Sequence, residues 1–172
     1  MNPEIDLRLK SVLKALSEVI LPALPAGERM ARDQTNLVIG HLSIIAEQWK
    51  HALNFELENL ALASGLAAEL AGMTLDARLG DDLIAALAAA DEVDRNDYDA
   101  VSAVHRGLKT VIDRLIADDY RSTPMPPAMR DAVLRYNQRR ATPERIWHRG
   151  AGLDPDGASL PPIAALFART SD

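Results

Sequence analysis

No cysteine occurs among the 172 residues, so disulfides, thiolate metal sites and a cysteine nucleophile are excluded. Aromatic residues make up only 4% of the chain. No run alternates β-branched or aromatic residues between turns, so strand signals are missing. No apolar run approaches the ~20 residues of a membrane span. Met1-Asn2-Pro3-Glu4 lacks the basic and apolar regions of a leader peptide. These absences together lead us to expect a cytoplasmic protein. The chemical signatures are missing as well. There is no glycine-rich phosphate loop, no Gly-x-Ser-x-Gly elbow and no His-Glu-x-x-His zinc motif. Net charge is −6, which disfavours nonspecific nucleic-acid binding by the whole molecule.

What is present is a helical pattern. Hydrophobic residues reach 48%, with abundant alanine, which suits close helix packing. The length suffices for one domain with a substantial core, and no clean linker interrupts it. The expectation is an all-α bundle, one domain over residues 1–172, organised around one long helix spanning about residues 26–71. An N-terminal helical hairpin precedes it, short C-terminal helices follow it, and residues 121–172 form an arginine-rich extension.

At about 100° per residue, Met30, Leu37, Val38, Leu42, Ile45, Trp49, Leu53, Leu60, Ala63, Leu66, Ala67 and Leu70 share one face of the long stretch. Arg32, Asp33, Glu47, Lys50, Glu58 and Glu69 lie opposite. A face this wide implies more than one neighbouring helix. Glycine costs about 1 kcal/mol against alanine inside a helix, so Gly40 and Gly65 are the expected weak points. Polar residues intrude on the apolar face: Gln34, His41 and Gln48 at seven-residue intervals, then Glu56 and Asn59. Buried polar groups are costly without partners. An interior polar seam that fixes helix register and oligomer state is the reading we favour. A partly solvated groove is the alternative.

The remaining segments read as follows. A first amphipathic helix covers residues 4–21 and is closed by Pro22 and Pro25. Gly72 serves as a helix end, residues 73–80 as a turn, and a helix resumes near Asp81-Asp82. The acidic stretch Asp91–Asp99 lacks the central glycine and terminal glutamate of a calcium loop, and reads as a solvated connection with Asn96 capping the next helix. That helix runs over about 97–120, with His105 inside its apolar stripe. After a break at Arg121–Pro127 come a helix to Arg140, a short helix opened by Thr142-Pro143, a loop, and a last turn at Ile163–Phe167.

Two sets of residues could carry chemistry. His41 and His105 sit on apolar faces and could converge on a metal with Glu56. Glu47/His51 and Glu144/His148, however, are spaced i,i+4, and they miss the Glu-x-x-His pattern of diiron bundles. Satisfied core histidines are the better expectation, with no metal and no cofactor. The arginines are more informative. From Arg121 to Gly150 seven arginines face only Asp131 and Glu144, a net +5 that leaves −11 elsewhere. The simplest reading is docking of this basic segment on the acidic remainder or on a second subunit. Its rival is an anion site built from Arg135, Arg139, Arg140 and Arg145, with Tyr136, Trp147 and His148 as stacking surface. A nucleotide or an acyl carrier would be its ligand. The leading expectation is a non-enzymatic bundle acting through protein contacts as a homodimer along the long helix.

Overall fold

The computed structural model describes residues 4–74, 77–122 and 125–168, without the side chains of 118–122. The expected turn at 73–80 therefore falls partly outside the described residues, at 75–76. So do part of the expected break, at 123–124, and the Arg121 side chain. Among the described residues the protein is all-α, with six helices of substantial length and no strand.

Helix α1, Ile5–Ala15, continues through a π-helical turn, Leu16–Ile20, and a last turn, Leu21–Ala23. Leu24 is extended, as the residue before a proline should be, and Pro25 forbids continuation. The last carbonyls of a helix lack intrahelical partners. Here Arg32 supplies them: its Nη1 donates to Leu21 O at 3.2 Å and to Leu24 O at 3.0 Å. The Leu-Pro-Ala-Leu-Pro corner is thus tied to α2, Arg29–Gln48.

The long apolar stretch is interrupted, and not at a glycine. Helix α2 ends at Gln48, Trp49–His51 form a turn, and α3 runs over Ala52–Ala71. Gly40 and Gly65 both lie inside helices. The interruption is held by α1: Trp49 Nε1 donates to Asp6 Oδ1 at 3.1 Å, and Lys50 Nζ binds Asp6 Oδ2. A Cβ on Gly65 would meet nothing within 4 Å. Gly65→Ala is therefore expected to stabilise the protein by about 0.5–1 kcal/mol, read as a higher urea midpoint with unchanged slope.

Helices α4 (Ala77–Glu92), α5 (Tyr98–Ser122) and α6 (Pro127–Trp147) follow. Helix α4 starts before Asp81, within the expected turn. Helix α5 is capped by Asp97 rather than Asn96: Asp97 Oδ1 accepts from the amides of Asp99 and Ala100 at 2.9 and 3.1 Å. Asn96 instead belongs to a turn closed on Asp94 Oδ1. The two helices expected on either side of Thr142 are one, with Pro143 inside α6. Three 3₁₀ turns, Arg149–Ala151, Gly157–Ser159 and Ile163–Phe167, complete the chain.

The chain divides into two compact units, Met1–Lys50 with Glu144–Asp172, and His51–Pro143. Their boundaries explain why composition shows no linker. One is the Trp49–His51 turn and the other is the proline within α6. In the second unit α3, α4 and α5 pack against one another. Their core is Leu60, Ala63, Leu66, Ala67 and Leu70 of α3, Leu79 and Leu83 of α4, and Val101, Leu108, Ile112 and Leu115 of α5, joined by Met129 and Ala132 of α6. In the first unit α1 packs along α2, and the Arg149–Ala151 turn packs on α2 as well. No residue of α1 or α2 is buried. The first unit's buried side chains are Ile146, Trp147 and Ile163.

Candidate functional site

The expected interior seam is real in one unit only. In the second, Glu56 and Asn59 sit one turn apart on α3, and His105 comes from the apolar stripe of α5. His105 Nδ1 lies 2.8 Å from Glu56 Oε2. Asn59, Ser102 and His105 are all buried. With Nδ1–H directed at the carboxylate, Nε2 is the ring's acceptor. Nε2 is buried with no hydrogen-bond partner among the described residues. In the first unit Gln34 and His41 are exposed, not interior, and His41 lines a groove with Leu37, Ile44, Gly150 and Leu153. Gln48 is half-buried and donates from Nε2 to the Trp147 carbonyl at 2.9 Å.

Burial pushes the His105 pKa below the ordinary 6.5. The Glu56 carboxylate pulls the other way, and the charges of Lys109 and Arg140 add to the depression. The unfolded chain therefore takes up this proton more readily than the folded one. Stability from neutral His105 is complete above pH 6.5 and is lost as pH falls through the lower folded value. Melting temperature is expected to fall as the pH is lowered below about 6.5, starting above the range where carboxylates titrate. His105→Gln should flatten this part of the profile; a wild-type slope in the variant would contradict the assignment.

The arginine set divides between the units, and most of it is already engaged. In the second unit Arg135 Nη2 binds Glu69 Oε2 at 2.6 Å, and the Arg140 guanidinium lies over the Tyr136 ring, 5.1 Å from its centroid. Arg139 is exposed and makes no ion pair among the described residues. In the first unit Arg145 grips Asp154 with two bonds, Nε–Oδ2 at 2.7 Å and Nη2–Oδ1 at 3.1 Å. This grip, with the Asp156 amide, holds the Asp154 carboxyl below the usual range, against a smaller effect of desolvation. Arg149 reaches Glu47 of α2 at 3.8 Å and donates to Leu160 O at 3.1 Å. Trp147 is buried, so it offers no open stacking surface. His148 is exposed and lines a groove of about 570 Å³ with Glu144, Arg145 and Leu153.

Within each unit, then, basic residues of the C-terminal third dock on acidic residues of the same chain. No sequence signal points to three residues that matter here. Asp6 and Asp154 belong to no motif and stand out from no charge cluster. Lys109, one helical turn after His105, looked like ordinary helix surface. Among the described residues no group of three or more His, Asp or Glu side chains is placed to share a metal ion. Among the described residues no helix is long and apolar enough to cross a membrane. Comparison with protein-family models, curated proteins and solved structures finds no match to this chain.

Proposed function

We propose that this protein acts through protein–protein contacts and that its first partner is a second copy of itself, joined along α2. The observation that carries the reading is exposure. Met30, Leu37, Val38 and Ile45 are 74%, 55%, 45% and 47% exposed, although they share one face of an amphipathic helix. Ile5, Val12, Val19 and Ile20 of the preceding helical segment are exposed too. Leaving such surface wet forgoes about 25 cal/mol per Å², and contiguous apolar patches of this kind mark interaction surfaces.

The pattern along α2 suits an antiparallel pair. Met30 and Ile45, Leu37 and Val38, and Gln34 and His41 each stand symmetrically about the midpoint between positions 37 and 38. A two-fold axis through that midpoint brings each residue against its counterpart, as an isologous interface requires. Apolar residues then meet apolar ones, and the Gln34 amide of one copy meets the His41 ring of the other. Polar pairs inside an apolar helix seam set register, the role the sequence suggested for them. Sedimentation equilibrium across a hundredfold range of concentration, about 1–100 μM, tests the reading. A dimer that dissociates on dilution is the expected result. A monomer throughout would remove the basis for it.

A further inference from the structure

In the first unit a groove of about 620 Å³ runs between α2 and the turn that follows α6. Sites for small organic ligands commonly measure ~300–1,000 Å³. Leu37, Gly40, His41 and Ile44 of α2 form one side, and Gly150, Ala151 and Leu153 form the other. The α2 residues recur at intervals of three and four, so they share one stripe of the helix. Glycine lets the two sides meet: a Cβ on Gly150 would come within 3.2 Å of Ile44 Cγ1. Gly40 acts in the opposite way. A Cβ there would meet nothing within 4 Å, so this glycine leaves the groove open above it. Leu153, on the rim, is 88% exposed.

The polar groups gather at one end. Asp33 and Asn36, one turn apart, line the groove at the N-terminal end of its α2 side. With histidine neutral, Asp33 is the one charged side chain among the lining residues. Its carboxylate makes no ion pair or hydrogen bond among the described residues, although Arg29 stands one turn earlier on α2. The Asn36 amide supplies a second acceptor oxygen beside it. An apolar trough with one carboxylate at its end complements a cation that carries a hydrocarbon chain, and repels an anion of the same shape. We propose that this groove binds a primary alkylammonium ion, its ammonium group at Asp33 and Asn36 and its chain along Leu37, Gly40 and Ile44. Around the helix, Leu37 and His41 form the edge that the groove shares with the pairing face, and Asp33, Asn36, Gly40 and Ile44 lie beyond that edge. The site is built within one chain and does not depend on a second copy.

Methyl spectra of the full chain, titrated with n-hexylammonium at neutral pH and low ionic strength, test this. Saturable shifts are expected at Leu37, Ile44, Ala151 and Leu153, with hexanoate binding more weakly. Ile84 and Leu134 of the second unit are 60% and 51% exposed, and they report nonspecific adsorption. Asp33→Asn keeps the shape of the side chain, removes its charge and should weaken binding about threefold. Gly40→Leu favours the helix, fills the groove and should weaken binding about tenfold or more. Four results would each overturn the proposal: no saturable shift, hexanoate binding as tightly, equal shifts at Ile84 and Leu134, or undiminished binding by either variant. Sedimentation reports the pairing separately. A monomer that binds hexylammonium would sink the dimer and leave this site standing, and a dimer that does not bind it would do the reverse.

Discussion

Leu37→Glu should turn the protein into a monomer at concentrations where the wild type is a dimer. Leu37 is exposed in the single chain, and in the proposed pairing it lies next to the two-fold axis against Val38 of the second copy. Each dimer therefore carries the substitution twice, and the two carboxylates approach each other across the axis. A charge at the desolvated centre of an interface costs at least about 2 kcal/mol, so two of them should weaken association by a hundredfold or more. The folded monomer should notice the change little, because Leu37 is more than half exposed. Sedimentation gives the association constant, and far-ultraviolet circular dichroism confirms that helix content is retained. A variant that dimerises like the wild type would place the interface elsewhere. The absence of cysteine permits an orthogonal check: in a Gln34→Cys/His41→Cys chain the paired positions would meet between copies and oxidise to a covalent dimer.

Leu70→Ala should have the largest effect on stability. Leu70 of α3 is fully buried in the core of the second unit, and truncating such a leucine costs about 2–5 kcal/mol, the lost transfer energy plus the cavity left behind. Urea denaturation monitored by helix signal should show a much lower midpoint. The informative control is Leu37→Ala. It removes the same atoms from the same apolar face as read in sequence, yet in dilute, monomeric protein it should change stability by less than about 0.5 kcal/mol. Equal losses from the two substitutions would mean that α2 is covered in solution even in the monomer.

That contrast also measures what could be read from the chain alone. Helical character was legible throughout because the 3.6-residue period is written in every segment. The buried face of α3 was legible residue by residue, from Leu60 to Leu70. The same period continued into α2 without a sign that Met30, Leu37 and Val38 would be left in water, because periodicity records which residues share a face, not whether anything covers it. The interruption at Trp49–His51 was illegible, since no proline or glycine marks it. Pro143 misled in the opposite sense: it looked like the start of a helix and lies inside one. Of the candidate site residues, Glu56 and His105 were already named together, as possible metal ligands with His41, and the structure brings these two within 2.8 Å of each other. The arginines were recognised as a group before their individual carboxylate partners, Glu69, Asp154 and Glu47, could be assigned.

Asp6 gives the Trp49–His51 turn a different character from most breaks between helices. No proline or glycine marks the break; beside it one acid of α1 holds an indole and an ammonium group. A fragment cut free of α1 would have every local reason to wind straight through positions 49 to 51. On that expectation the N-terminal helix helps set where the longest apolar stretch of this chain is punctuated.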